Sequence, residues 1–313
     1  MIVVNLKDGL GNQMFEFAFA KYLQKEYKER IVLNTFFFDN KKRKSFSLDC
    51  FKLGDDVTVA RGFYAFLLTF SFVARLFLFF PKIMFRWVFL HVRPTGKKLF
   101  DKFSEKGLYV TFSTFSYFGF TKSKKTKKFI YGNFENHLYL EPIIEDLHSS
   151  FEFISEIDDL NLEYMNRIKQ TNSVCVHIRR GDYLDPKWKA LNICDFDYYQ
   201  HAMQLIHSRV SDPVFYIFSN NHNEIKWIKN NYHFKYDVQY VDLSNKDFQE
   251  MRLMMSCNHF IISNSTFSWW AAYLSSNKNT CVITPTRWID NSNNSEAFVD
   301  SDNLLLEKWI KCC

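Results

Sequence analysis

Two adjacent guanidinium groups, Arg179 and Arg180, followed at once by Gly181 and Asp182, are the strongest anion-binding feature of this sequence. Their planar forks match phosphate oxygens, and arginine keeps its charge at any physiological pH. The run Val174-Cys175-Val176-His177-Ile178 that leads into them is apolar and largely β-branched, which reads as a buried strand of a parallel sheet. Ligands of open α/β sheets bind just beyond the carboxyl ends of such strands, so this strand delivers a phosphate clamp. Neighbouring side chains on an extended backbone face opposite ways. One arginine is therefore assigned to the ligand and the other to Asp182 or another nearby acid. A pair of surface arginines at a strand end is the plain alternative, and the glycine and acid directly behind them weaken it.

A second polar cluster follows Phe260-Ile261-Ile262, where Ser263-Asn264-Ser265-Thr266 precedes the aromatic helix of Phe267, Trp269 and Trp270. Asn, Ser and Thr are preferred at helix N-termini, whose free amides form a ready anion site. Hydroxyls of Ser265 and Thr266 would add to those amides at a phosphate; ordinary helix capping is the plain alternative. Trp269 and Trp270 read as packing of the helix on its sheet. Near the start, Gly9-Leu10-Gly11-Asn12-Gln13 is a tight strand-to-helix loop whose glycines permit close backbone approach to a ligand. It lacks a third glycine, and no acid ends the second strand, so the dinucleotide fingerprint is not met.

Asp195-Phe196-Asp197 matches a metal-binding Asp-x-Asp pattern, but it stands where a helix begins, and acids favour helix N-termini. No metal is assigned. Asp242, Asp247 and Glu250 are candidates for polar ligand contacts, and Asp8, Asn12, Glu16 and His177 for proton acceptance.

The elements that must position these residues follow from hydrophobic period. Ile2–Asn5, a helix from Met14 through Leu23, and Ile31–Leu33 form a βαβ opening. From Val174 onward, strands at 174–178, 214–218, 238–241, 260–263 and 281–284 alternate with helices at 196–207, 224–231, 246–256 and 267–274. That alternation implies a parallel sheet covered on both faces. Leu304–Ile310 reads as a closing helix. With 313 residues the chain has room for two domains, 1–155 and 156–313.

Between Lys41 and Lys128 the character changes to an aromatic and basic insertion. It holds the charge run 41–44, apolar stretches at 63–80 and 83–92, and lysines clustered at 122–128. A spanning helix needs roughly 20 apolar residues free of buried charge, and Arg75 and Pro81 argue against one. Helices packed into the first domain fit best; an interfacial patch on an anionic membrane is the second reading. The 35 phenylalanines suggest that some rings meet an apolar partner. A net charge of +6 suits an anionic ligand, and no motif argues for nucleic acid. Seven cysteines without paired spacing read as small buried hydrophobes, and the first residues lack the marks of a secretory signal. A cytoplasmic setting follows, with peripheral contact at the inner face of the membrane as an extension of it. The sequons at 264–266 and 293–295 carry no weight there.

Taken together, Gly9-Leu10-Gly11-Asn12-Gln13-Met14-Phe15, His177-Ile178-Arg179-Arg180-Gly181-Asp182-Tyr183 and Ser263-Asn264-Ser265-Thr266-Phe267-Ser268-Trp269-Trp270 resemble, in this order, the bacterial α-1,2-fucosyltransferases of glycosyltransferase family 11. Leu253–Cys257 and Pro285–Trp288 extend the resemblance over nearly the whole chain. It implies an α/β, GT-B-like fold of two Rossmann-type domains facing a cleft, the second holding GDP-fucose. It further implies inverting transfer of L-fucose to the 2-hydroxyl of a galactoside in surface polysaccharide or lipid-linked oligosaccharide, with no cofactor and no required metal. Carried onto this chain, Arg180 would bind the β-phosphate while Arg179, His177 and Asp182 hold the clamp. Ser265 and Thr266, with Asn264, would lie on the donor, approached by Gly9, Gly11, Asn12 and Gln13 from the other domain; Asp242 is a further candidate for donor contact. Asn220-Asn221 stands where that family usually has acids. Transfer from another GDP-sugar, and a non-catalytic nucleotide-binding scaffold, are the alternatives.

Overall fold

The computed structural model describes residues 1–38, 45–90, 96–277, 279–290 and 300–313. The charge run at 41–44, the end of the second apolar stretch at 91–92 and the sequon at 293–295 lie outside the described residues. The chain divides into two compact units, Met1–Ile154 with Ser295–Leu304, and Ser155–Asn294 with Leu305–Cys313. Each has its own parallel sheet, so both are α/β units of the Rossmann type.

In the first unit, β1 (Ile2–Asn5), α1 (Leu10–Tyr27) and β2 (Ile31–Asn34) form the opening βαβ. The sheet is completed by β3 (Val57–Ala60), β4 (Leu108–Val110) and β5 (Lys128–Tyr131), in the order β3-β2-β1-β5-β4. The stretch 41–128 is therefore built into the sheet and supplies both edge strands. It also supplies α2 (Gly62–Phe79), α3 (Pro81–Leu90) and α4 (Lys97–Glu105), and α5 (Ile144–Ser150) follows β5. Strands of a doubly covered parallel sheet need apolar residues on both faces, and β1 and β2 are buried at every position.

Two buried asparagines fix the centre of that sheet. Asn5 donates to the Ile130 carbonyl at 3.1 Å, and Asn34 donates to Asn5 Oδ1 at 2.8 Å and to Thr69 Oγ1 at 2.9 Å. Much of the phenylalanine is core: Phe19 stacks on Phe134 with centroids 3.7 Å apart, and Phe72 lies on Phe129. The rest of α2 is another matter, because Phe63, Phe66 and Phe70 are exposed.

The second unit runs α6 (Asp159–Lys169), β6 (Asn172–Ile178), α7 (Phe196–His207), β7 (Pro213–Ser219), α8 (His222–Asn231) and β8 (Val238–Tyr240). It continues with α9 (Asp247–Met255), β9 (His259–Ile261), α10 (Thr266–Tyr273), β10 (Val282–Pro285) and β11 (Ile310–Cys312). All neighbours pair in parallel, in the order β11-β10-β9-β6-β7-β8. Helix starts are capped as their residue types dictate. Asp158 accepts from Asn161 N at 2.9 Å, Asp195 from Tyr198 N at 3.0 Å, and Asn221 from Glu224 N at 3.1 Å.

Two expectations need correction. The closing helix at 304–310 is instead a loop into β11, because Ile310 finds a parallel partner in Ile283 while Leu305, Leu306 and Trp309 are buried. The boundary at 155/156 gave everything after it to the second domain, yet residues 300–304 group with the first unit. There, Ser116 donates to Asp300 Oδ2 at 2.9 Å, and His137 Nδ1 meets the Asn303 carbonyl oxygen at 2.6 Å.

Glu250 on α9 is half-buried, with Asn245 Nδ2 at 3.5 Å from its Oε2. Burial raises its pKa from 4.5 to about 8; Asn245 opposes the shift and Asp242 adds to it. The folded chain thus holds a proton that the unfolded chain releases, so this stability is complete below 4.5 and is lost as pH rises through about 8. Glu250→Gln is expected to flatten the fall in thermal midpoint across that window, as read by differential scanning fluorimetry in a buffer series.

Candidate functional site

Strand order decides where a ligand can sit in the second unit. From β6 the chain builds outward through β7 to β8, then returns to the other side of β6 with β9 and moves away through β10 to β11. The connections therefore diverge between β6 and β9, leaving a crevice beyond their carboxyl ends. Both polar motifs begin there: His177–Asp182 follows β6, and Ser263–Thr266 follows β9.

Side chains tie the two motifs together. His177 Nδ1 lies 3.0 Å from Ser263 Oγ, and Tyr183 donates to the Asn264 carbonyl at 3.0 Å. Asn264 is buried and donates to the carbonyls of Leu191 and Trp288, each at 2.9 Å. It is thus a scaffold for the loop, and its side-chain amide is spent on backbone. Ser265 occupies the N-cap position of α10, but its side chain makes no capping hydrogen bond. Ordinary capping therefore does not account for it. Burial, with Arg179 beside it, drives the His177 pKa down to about 3, so this imidazole is neutral at physiological pH.

The two arginines part company, as alternation along an extended backbone requires. Arg179 Nη2 donates to Asp182 Oδ1 at 2.7 Å, and its guanidinium lies 5.3 Å from the Tyr183 ring centroid. Its Nε is buried without an acceptor among the described residues. Arg180 turns toward α8, where Nε donates to Glu224 Oε2 at 3.0 Å and the guanidinium stacks on Trp227, 3.2 Å from the ring centroid. Such a stack contributes about 1 kcal/mol and fixes the plane of the fork. Sequence reading missed Glu224 and Trp227. Their spacing of three on a helix places them on one face, but nothing local to α8 points to an arginine 44 residues upstream.

The asparagines that replaced the expected acids both have work to do. Asn220 Oδ1 accepts from Arg180 N at 3.1 Å, and Asn221 caps α8. The acid that pairs with the clamp comes one turn later, from Glu224. Gly181 makes the turn at φ +46°, and a Cβ there would lie 3.0 Å from Asn220 Nδ2. Asp242 pairs with His222 Nδ1 at 2.8 Å, Asp247 is exposed, and Glu250 is half-buried. Asp195 caps α7, which accounts for the Asp-x-Asp match. Among the described residues no group of three or more His, Cys, Asp or Glu side chains could hold a metal ion.

The first unit has its own divergence point, between β1 and β5. Gly9, with φ −81°, precedes α1, and a Cβ there would meet nothing within 4 Å. Its glycine therefore keeps space open at the helix N-terminus rather than permitting a turn. Gln13 is committed inside the unit: its amide donates to the carbonyls of Asp8 and Ser45, each at 2.9 Å, and accepts from Ser47 N at 3.0 Å. Gly11 is buried and Asn12 half-buried in the first turn of α1. Beside them, Glu16 accepts from Lys7 N at 3.0 Å, and Glu135 accepts from Asn133 at 3.0 Å. Burial raises both acids, Glu135 to about 7.

Parallel α/β units with convergent polar groups at a divergence point define a ligand-binding class of α/β protein. Residues 1–312 match the family model for glycosyl transferase family 11, and the chain belongs to that family. It is 28% identical to an O-antigen biosynthesis glycosyltransferase (WbnK) of Escherichia coli, over 95% of this chain and 97% of that one. It is also 28% identical to an α-1,2-colitosyltransferase of Escherichia coli, over 99% of this chain and 98% of the other. A galactoside α-(1,2)-fucosyltransferase 1 of Mus musculus is 37% identical, over 34% of this chain and 29% of its own length.

The geometry at β6 yields two expectations. Gly181→Ala should cost about 1 kcal/mol in urea unfolding, since an L side chain resists the positive φ. Glu224→Ala, which leaves Arg180 in place but unoriented, should lower kcat about 10- to 100-fold with the urea midpoint little changed.

Proposed function

We propose that this glycosyltransferase moves L-fucose from GDP-β-L-fucose to the 2-hydroxyl of a galactoside, forming an α-1,2 linkage with inversion. The acceptor oxygen attacks the anomeric carbon as the bond to the diphosphate breaks, and that electron pair passes to the β-phosphate oxygen. The acceptor proton leaves to a base or through the departing phosphate. Negative charge grows on the leaving group, and preorganised donors aimed at it supply the largest single catalytic term in such reactions.

In this reading Arg180 takes the β-phosphate. The buried Nε of Arg179 is a second donor that a phosphate oxygen would satisfy, and Ser265, Thr266 and the first amides of α10 complete the grip. His177 stays neutral and positions Ser263. The observation that carries the proposal is the anchoring of Arg180: one edge held by Glu224, one face on Trp227, its backbone N–H on Asn220. A non-catalytic scaffold has no use for a guanidinium so oriented, and its relatives are named as transferases. Relatives from O-antigen biosynthesis and among galactoside fucosyltransferases support a saccharide acceptor; the form proposed for it is a lipid-linked oligosaccharide in the cytoplasm.

A second reading has a specific basis, since a relative matched along 98% of its length is an α-1,2-colitosyltransferase. A diphosphate clamp does not read the sugar. GDP release measured with GDP-fucose and other GDP-sugars, with and without galactoside acceptors, separates the readings; turnover of another GDP-sugar in preference to GDP-fucose would replace fucose. Arg180→Ala should lose roughly two to three powers of ten in kcat with the fold retained. Arg180→Lys should not restore it, because an ammonium can neither stack nor pair through two edges. A chelator is expected to leave the rate unchanged, and loss of activity restored by divalent metal would refute the metal-free mechanism.

A further inference from the structure

Helix α2 wears its amphipathicity inside out. Ala65, Leu68, Thr69, Phe72 and Leu76, spaced at helical intervals, are buried against the first unit's sheet. The opposite face should be polar on a water-soluble surface, yet it presents Phe63 (74% exposed), Phe70 (63%) and Leu78 (74%), with Phe66, Leu67 and Phe77 between them. On α3, Phe85 and Val88 are exposed as well. Isolated apolar side chains on a surface need no explanation, but a contiguous strip along two consecutive helices does.

Charge says what covers it. Residues 57–100 contain no acid and seven cations, in a chain with 34 acids overall. At the carboxyl end of α2, Lys106 and Lys125 bring their ammonium groups within 5.8 and 5.6 Å of the Phe79 ring centroid. Lys82 and Arg86 are exposed on α3, and Lys124 and Lys127 are exposed beside Lys125. Apolar side chains rimmed by cations match the acyl boundary and headgroup layer of an anionic bilayer.

Two other occupants fit less well. A membrane span would require α2 to leave the sheet, although Thr69 is buried and hydrogen-bonded to Asn34 at 2.9 Å. A second copy seated face to face would oppose cations with cations, because a two-fold contact pairs a patch with itself. We infer that α2 and α3 form a monotopic docking face for anionic phospholipid, inserting phenylalanines while the flanking lysines hold phosphate headgroups. The inference rests on this surface and holds whichever sugar is transferred.

Flotation of the full chain with vesicles of phosphatidylglycerol and phosphatidylethanolamine, against phosphatidylcholine alone, tests it. The chain should float with the anionic vesicles, and raising salt to about 1 M, where the screening length falls to about 3 Å, should weaken binding severalfold. Phe63→Ser with Phe70→Ser and Leu78→Ser should cut the bound fraction by about tenfold. Lys106→Glu with Lys125→Glu should abolish the preference for anionic lipid. Failure to float, resistance to alkaline carbonate extraction, or self-association that the triple substitution abolishes would each overturn it.

Discussion

A buried imidazole is worth its desolvation only if its nitrogens meet the right partners, and in this chain that condition joins two motifs 86 residues apart. His177 and Ser263 meet across the gap that opens where the second sheet's connections diverge. Without that contact the loops after β6 and β9 would be two independent turns on adjacent strands. With it, and with Tyr183 on the Asn264 carbonyl, they become one rigid surface of hydroxyls, amides and guanidiniums. Neutrality of the imidazole belongs to the same device. A protonated ring beside Arg179 would place like charges in a buried site, so burial and Arg179 both hold the proton off.

Much of this could be read from residue order. The regular alternation after Val174 comes from strands whose β-branched runs end in polar clusters, and α7 was legible to both its ends because Asp195 caps it. The motifs at 177–183 and 263–270 were legible as motifs because strand ends concentrate polar residues where the backbone runs out of partners. Less legible were β3, β4 and β11, of three or four residues each. Edge strands this short show no usable period, and pairing with a neighbour decides them. Leu304-Leu305-Leu306 and Trp309 carry the apolar signature of a helix, but their burial is set by the end of β10 rather than by helical spacing.

The support of Arg180 was invisible for a different reason. Glu224 and Trp227 sit on α8 as an ordinary surface acid and an ordinary half-exposed aromatic, and only the close packing of α8 beside the end of β6 gives them a target. Asn220-Asn221 likewise looked like the loss of acids. In the structure one asparagine holds the Arg180 backbone and the other starts the helix that carries the replacement acid.

Distribution of charge also separates the two units chemically. Beside the divergence point of the first unit, Glu16 and Glu135 are pushed up chiefly by burial. Lys7 lowers both, while the negative charge of Asp8 adds to both. A place where a carboxylate struggles to ionise is a poor place for a diphosphate, even beside the N-terminus of α1. In the second unit the titrating group at the divergence point shifts the opposite way: an imidazole that will not accept a proton, beside guanidiniums that cannot lose theirs. An anion bound there meets fixed positive charge and no competing acid beyond those already paired with arginine. The electrostatics of each unit, taken separately, agree with the proposed placement of the leaving nucleotide in the second. The same reasoning limits what the glycine loop of the first unit can contribute, since its open space before α1 suits a neutral group better than a phosphate.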